Sequence, residues 1–288
     1  MQTKNAVAGF SYCILSFVLF ALNGLVLVTL CKDAEYNTST YRIITNMCVA
    51  CMLQLLPFFV GGLMTLSQTI FHYYVDRILG MLLQSGWFLY LALSLTLAID
   101  RFIIFILPKT RTFKAKITNC LLVLSWLFWL FTAVVLCLPG YGFTFAADDY
   151  LISWTYASGA GSFMMATLEV YFDLIVLAII LFIYVIVCGY LVKVRLSSSA
   201  QSKSFTVEIR MFLVALISFS YESFLVSCFW LPPFSNDRII TKIYTNMEWM
   251  VDCSLFAIAT LILNKRLRGK VLKMIGPKSN STVASILS

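Results

Sequence analysis

The chain has 288 residues, of which 61% are hydrophobic and only 12% are charged. A water-soluble domain of this length could not cover its surface with so few polar side chains, so the composition indicates a membrane protein. The net charge of +8 would suggest nucleic-acid binding, but the basic residues cluster on one side of a membrane, as described below, which explains the charge without nucleic acid.

Seven stretches are long and apolar enough to cross a bilayer, which takes about 20 residues in a helix. In chain order they cover residues 10–30, 43–66, 78–107, 117–138, 162–192, 207–231 and 244–263. We do not expect the first to be a cleaved signal peptide, because it is too long and only Lys4 precedes it. The sequence therefore predicts an all-α membrane protein whose residues 1–288 form a single seven-transmembrane helix bundle.

Basic residues are concentrated on one side of this predicted bundle. Seventeen of the 21 Lys and Arg residues fall within residues 32–42, 101–116, 193–210 and 265–278, and the other four are Lys4, Arg77, Arg238 and Lys242. Short basic loops stay in the cytoplasm, so the amino terminus is predicted to be outside and the carboxyl terminus cytoplasmic. Basic clusters beside the inner leaflet favour a lipid membrane as the partner and no nucleic acid.

The third span ends in an adjacent acid and base, Asp100 and Arg101, after more than twenty residues without a charge. A charge at the centre of a membrane helix costs about 2.5–3.5 kcal/mol on insertion scales, so it usually has a partner or a role. One interpretation is a resting ion pair whose opening frees the guanidinium, which makes a two-state element. The alternative is an interfacial arginine whose side chain reaches the lipid headgroups.

Asp100-Arg101-Phe102 resembles the Asp/Glu-Arg-Tyr motif that ends the third helix of rhodopsin-like G-protein-coupled receptors. Pro108, seven residues after the arginine, is similar to the proline of their second inner loop. The resemblance implies that these four residues serve G-protein coupling and activation.

Further positions along the chain resemble the same family. Asn23 is similar to the asparagine signature of the first helix, Trp126 lies near the expected tryptophan of the fourth, and Phe219 is at a plausible switch position of the sixth. The segment TLILNKRLRGKVLK resembles the junction between the seventh helix and a short cytoplasmic amphipathic eighth helix. The resemblance implies such a helix over residues 265–275, with its apolar side in the inner membrane surface, and a tail over residues 276–288.

Several family features are missing from this sequence. Asp76 stands where the family usually has its disulfide cysteine, and residues 140–161 contain no cysteine. Cys51 occupies the place of the sodium-site aspartate, SYESFLV replaces the sixth-helix Cys-Trp-x-Pro signature, and Phe-Ala-Ile-Ala-Thr at 256–260 replaces Asn-Pro-x-x-Tyr. The middle of the fifth span also lacks a proline. This combination resembles the divergent nematode serpentine chemoreceptors, with the subfamily open and class x as our first choice.

The resemblance implies a ligand pocket in the outer half of the bundle, where several spans carry polar or aromatic side chains. The candidates are Gln84, Ser85, Trp87, Tyr90, Glu169, Asp173, Tyr221, Glu222, Glu248, Trp249 and Asp252. No Lys or Arg lies in the middle of a predicted span, so the carboxylates have no evident basic partner. Either they are protonated or hydrogen-bonded in a polar core, or one is the counter-ion of a cationic ligand or sodium. Leu83 stands where amine receptors place their aspartate, which disfavours a conventional biogenic amine.

These observations favour a G-protein-coupled chemosensory receptor over other membrane proteins. The single histidine, His72, argues against metal hydrolases and Ser-His catalysis, so we expect no enzymatic activity, cofactor or metal. A seven-helix transporter or ligand-gated cation channel is the alternative, but the spans show no repeated half. The resemblance implies a small-molecule ligand, a heterotrimeric G protein as partner, and a location in the plasma membrane, the sensory cilium included.

Overall fold

The computed structural model describes residues 2–107, 111–148, 150–197, 203–230, 235 and 237–275, and within them the fold is almost entirely helical. The helices are α1 (Gln2–Lys32), α2 (Ser39–Ser67), α3 (Tyr73–Ile106), α4 (Arg111–Cys137), α5 (Ala160–Ser197), α6 (Lys203–Trp230), α7 (Arg238–Leu263) and α8 (Lys265–Ile275). A short 3-10 turn covers Ala34–Tyr36, and two antiparallel strands, β1 (Phe143–Thr144) and β2 (Thr155–Tyr156), form a hairpin between α4 and α5.

Helices α1 to α7 are all long and apolar enough to cross a membrane. This confirms the predicted fold class, a seven-helix membrane bundle followed by a short eighth helix. Most helices extend beyond the apolar stretches in the sequence, because backbone hydrogen bonding continues into the polar interface. The largest difference is at α1, which begins at Gln2, and α4 and α7 each begin six residues before the predicted spans, at Arg111 and Arg238.

Helix α3 is the central helix of the bundle. It packs against α2, α4, α5, α6 and β1. In the most apolar stretch of α3, 67% of the residues are buried, whereas the corresponding share is 28% in α4 and in α5. The outer faces of α4 and α5 are therefore left to contact lipid. Helices α1 and α2 approach closely at Gly9 and Gly62, where an added Cβ on Gly62 would lie 2.9 Å from the Gly9 carbonyl oxygen. Small residues allow this approach of two membrane helices.

Helix α8 follows α7 directly, and Asn264 marks the junction by accepting a hydrogen bond from the Leu267 backbone at 3.1 Å. Leu267 and Val271 are buried on one side of α8, whereas Leu272 is 60% exposed. Lys270 forms an ion pair with Asp33 at 2.8 Å, which joins α8 to the 3-10 turn. We call the end of the bundle that carries α8 the C-terminal face, and the opposite end, which carries the β1–β2 hairpin, the N-terminal face.

Candidate functional site

A cavity of about 360 Å³ lies beneath the β1–β2 hairpin, toward the N-terminal face. Its walls come from α3, α5, α6, α7 and the hairpin segment. The lining side chains are those of Gln84, Trp87, Phe143, Ser153, Trp154, Thr155, Tyr156, Glu169, Asp173, Cys228, Phe229, Thr241, Lys242, Thr245, Asn246 and Trp249. Five of the eleven pocket candidates from the sequence are thus brought together here: Gln84, Trp87, Glu169, Asp173 and Trp249.

The α5 side of the cavity carries two carboxylates, Glu169 and Asp173, one helical turn apart on the same face. Glu169 accepts a hydrogen bond from the Tyr156 hydroxyl at 2.9 Å, and Asp173 accepts one from the Trp87 indole at 3.3 Å. Among the described residues, no Lys, Arg or His forms an ion pair with either one. The acidic side of the cavity is therefore hydrogen-bonded but not neutralised by a base.

Gln84 is the polar group of α3 in this cavity, and its side chain is fully buried. It makes long hydrogen-bonding contacts with the Glu169 and Tyr156 side chains, but neither its amide nitrogen nor its amide oxygen forms a hydrogen bond of ordinary geometry with the described part of the chain. Burying an amide that has no close hydrogen-bond partner costs free energy of folding, because the group loses its hydration without compensation. Gln84 is thus available to a molecule inside the cavity.

Trp249 of α7 lies at the centre of an aromatic cluster that borders the cavity. Its ring centroid is 5.6 Å from those of Trp87 and Phe229 and 5.4 Å from that of Phe58. Its indole nitrogen donates to the Gln54 side-chain oxygen at 2.8 Å. One side chain therefore connects α7 to α2, α3 and α6 next to the cavity.

The hairpin that covers the cavity is attached to the start of α3 by Asp76. The Asp76 carboxylate accepts hydrogen bonds from the backbone amides of Phe145 at 2.7 Å and Ala146 at 3.3 Å. Gly80, one turn along α3, lets the strand approach closely, because an added Cβ would lie 1.6 Å from the Phe143 carbonyl oxygen. All nine cysteines are free, so this attachment is non-covalent.

An ion pair between Lys242 and Asp148 closes the α7 side of the cavity. Asp148 also accepts hydrogen bonds from the backbone amides of Ile152 at 3.0 Å and Ser153 at 2.9 Å. Burial alone would raise the pKa of Asp148, but these hydrogen bonds and the Lys242 charge outweigh it and lower the pKa. The seventh span predicted from the sequence begins at residue 244, so Lys242 was assigned to a loop and no basic side chain was expected in the pocket.

The other six pocket candidates do not line the cavity. Ser85 follows Gln84 in the helix, so its side chain points about 100° away from that of Gln84. Its hydroxyl donates a hydrogen bond to the Met81 carbonyl oxygen at 2.6 Å. Tyr221 donates to the Glu248 carbonyl oxygen at 3.4 Å, and the Glu248 side chain lies outside the lining. Tyr90, Glu222 and Asp252 are buried apart from it and interact electrostatically with one another.

Within this second group, Glu222 accepts a hydrogen bond from Ser94 at 2.8 Å. Neither carboxylate oxygen of Asp252 is hydrogen-bonded to a described residue. Hydrogen bonds to other side chains are thus present for Glu169, Asp173 and Glu222, and within the described residues Asp252 has none.

On the C-terminal face, Arg101 is fully buried and joins three helices. Its guanidinium donates to Asp100 of α3 at 2.7 Å, to Glu208 of α6 at 2.7 Å and to the Thr40 hydroxyl of α2. Asp100 is held in turn by the Thr40 hydroxyl at 2.9 Å. The adjacent pair expected from the sequence is thus present. Phe102 is half-buried against the core, and Pro108 lies outside the described residues.

The three signature residues each link neighbouring helices. Asn23 donates from α1 to Ser254 of α7 at 2.7 Å, and Trp126 donates from α4 to Asn46 of α2 at 2.8 Å. Phe219 of α6 packs edge-on against Tyr184 of α5 with ring centroids 5.5 Å apart.

Residues 1–284 match the family model of the serpentine type 7TM GPCR chemoreceptor Srt. The chain belongs to the Srt family. The receptor resemblance expected from the sequence is confirmed, whereas class x was the wrong choice of subfamily. The family is one of receptors rather than enzymes, and a G-protein-coupled chemosensory function follows from membership, so the transporter or channel alternative is not favoured.

Among solved structures, squid rhodopsin is similar to this Srt receptor in fold. The TM-score is 0.78 at 12% sequence identity, over 96% of this chain and 86% of the rhodopsin chain. No curated protein matches the sequence. At this identity the likeness shows the fold alone, and the ligand and the coupling site have to be argued from the geometry above.

Proposed function

We propose that this Srt receptor binds an external small molecule in the cavity beneath the hairpin and passes the signal to a heterotrimeric G protein at its C-terminal face. In this proposal the N-terminal face lies outside the plasma membrane, that of a sensory cilium included. Neither catalysis nor a cofactor takes part.

The observation that carries the proposal is that α3 runs from the cavity to the buried arginine. Gln84 and Trp87 line the cavity, and Arg101 joins α2, α3 and α6 at the other end. Seventeen residues separate Gln84 from Arg101, which is about 25 Å along a helix. A shift of α3 that follows ligand binding would therefore act directly on the arginine contacts.

The contacts of Arg101 in the described conformation are those expected of the resting state of such a switch. The Arg101–Glu208 ion pair holds α6 against α3, and the other terminal nitrogen of the guanidinium donates to Asp100 and Thr40. Opening this contact would expose a cationic group between the helices. A ligand that binds the open arrangement more tightly shifts the equilibrium toward it, by no more than its difference in affinity for the two states.

Guanine-nucleotide exchange tests this proposal. The purified receptor in lipid nanodiscs, mixed with a panel of G proteins, should accelerate nucleotide exchange on at least one of them. The Arg101→Ala variant should lose this activity while reaching the cell surface normally. Full exchange by that variant, or proton or cation flux through the receptor in liposomes without any exchange, would contradict the proposal.

A further inference from the structure

We infer that the ligand of this cavity is a small organic ammonium ion whose nitrogen lies between Glu169 and Asp173. The inference rests on the proposed function of the cavity and specifies the chemical class that it accepts. It follows from the balance of charge, the hydrogen-bonding capacity and the aromatic walls of the same cavity.

The lining of the cavity has two acidic side chains and one basic side chain. Lys242 is the basic side chain in the lining, and it is already paired with Asp148. Glu169 and Asp173 have no such partner among the described residues. Carboxylates without a basic partner in a low-dielectric site are either protonated or paired with a cation, because an unpaired buried charge is costly, and a cationic ligand would keep them ionised.

The hydrogen-bonding groups on the α5 side are mostly unused acceptors. A carboxylate offers about four lone-pair sites, whereas Glu169 and Asp173 each accept one hydrogen bond of ordinary geometry from the described residues. The amide oxygen of Gln84 accepts none of ordinary geometry within the described part of the chain. An ammonium group has up to three N–H donors and no acceptor, so it matches this set, while a carboxylate ligand would meet like charges.

The remaining walls suit the carbon skeleton of such a cation. Trp87, Phe143, Phe229 and Trp249 present aromatic rings to the cavity. Aromatic faces bury an apolar body and also attract cations. A cavity of about 360 Å³ is at the small end of the range for small-molecule sites, so it fits a compact amine rather than a peptide.

This position differs from the one expected for a conventional amine receptor. Leu83 replaces the third-helix aspartate of those receptors, and its buried side chain offers no charge. Here the carboxylates are on α5 instead, facing Trp87 and Gln84 of α3. The ammonium group is therefore expected on the α5 side, with the apolar body toward Trp249 and Phe229.

Three probes of similar size and different charge test the inference: 2-phenylethylamine, 2-phenylethanol and 3-phenylpropanoate. Binding to the receptor in nanodiscs is measured by the shift in its thermal unfolding. The amine should bind at least about tenfold more tightly than the alcohol, since its bonds to carboxylates are charge-assisted. The Glu169→Gln/Asp173→Asn double variant should remove this preference, while Glu248→Gln, which changes a carboxylate outside the lining, should keep it.

The wild-type preference is informative even if the double variant does not fold. Thr245→Trp, which fills the cavity, identifies binding that takes place inside it. If the alcohol or the carboxylate binds better than the amine and Thr245→Trp abolishes that binding, the ammonium class is wrong and the cavity remains the ligand site. If Thr245→Trp leaves binding of every probe unchanged, both the inference and the proposed cavity are wrong.

Discussion

The Asp76 carboxylate accepts a hydrogen bond from the Phe145 backbone amide at 2.7 Å, at the position where the sequence resemblance leads us to expect a disulfide cysteine. Both residues are almost fully buried, and a second bond reaches the Ala146 amide. The side chain that replaces the cysteine thus attaches the same two segments, the start of α3 and the hairpin over the cavity, without a covalent bond. The missing disulfide has a polar substitute at the same position.

Replacing this carboxylate should loosen the hairpin. Asp76→Ala leaves the buried Phe145 amide without an acceptor, which costs about 1–3 kcal/mol, so both the unfolding temperature and ligand affinity should fall. Asp76→Asn, which keeps one acceptor oxygen, should have a smaller effect. Hydrogen exchange at Phe145 and Ala146 measures the loosening directly. Asp33→Ala, which removes an exposed ion pair worth about 0–1 kcal/mol, is the control. Equal stability of Asp76→Ala and wild type would show that the bond does not hold the hairpin.

Reducing agent should leave this receptor unaffected. A native disulfide typically contributes about 2–4 kcal/mol, but all nine cysteines here are free. We therefore expect the same unfolding temperature and ligand affinity with and without dithiothreitol. A marked loss of affinity on reduction would contradict the free state of the cysteines.

The sequence was sufficient for features that depend on local composition. Apolar length predicted the seven spans, and adjacency in the chain predicted the Asp100–Arg101 pair. It could not predict Glu208 as a partner of Arg101, because 107 positions separate them and only the packing of α3 against α6 brings them together. The sequence did show that Glu208 is a carboxylate near the start of the sixth span, on the side where the basic residues lie, and this could have suggested it as a partner for Arg101.

Two other features were missed for physical reasons. The hairpin strands have only two residues each, too short for an alternating pattern to be recognised. Lys242 was left in a loop because the first turns of α7 are polar and lower the local hydropathy, although the helix begins at Arg238 with Asp237 as its cap. Hydropathy reports the apolar layer rather than the ends of a helix, so a side chain one or two turns from the end is easily misplaced.

The Lys242–Asp148 ion pair should make stability depend on pH in the acidic range. The pKa of Asp148 is lowered in the folded protein, so its contribution is complete above the ordinary aspartate pKa of about 3.9 and is lost as the pH falls through the folded value. The difference in unfolding temperature between wild type and Asp148→Asn should be constant from about pH 7 to pH 5 and shrink below about pH 4. Lys242→Met should show the same trend. If the difference in unfolding temperature grows on acidification, the ion pair does not lower the pKa of Asp148 in the folded protein.

Glu208→Gln should raise signalling in the absence of ligand. The substitution keeps a hydrogen-bonding group but removes the charge that holds Arg101 to α6. Loss of about 1 kcal/mol from a partly exposed ion pair shifts a two-state equilibrium by roughly fivefold, which sets the expected rise in basal nucleotide exchange. Glu35→Gln is the matched control, because Glu35 is on the same face but pairs with Arg266 of α8. Basal exchange that is unchanged by Glu208→Gln would show that this ion pair does not restrain α6.

The orientation of the bundle is open to a direct test with epitope tags. Seventeen of the 21 basic residues belong to the segments predicted to be on the inner side, and the five of α8 among them lie at the C-terminal face. Because the connections between helices are short, the positive-inside rule should govern them, so this face should be cytoplasmic. A tag before Met1 should be labelled by antibody on intact cells, and a tag after Ser288 only after permeabilisation. Both tags are placed on the same chain, so the labelling of one end serves as the control for the expression level when the other end is not labelled. Surface labelling of the carboxyl-terminal tag would place Arg101 outside the cell, where no G protein could reach it, and would remove the basis of the proposed signalling.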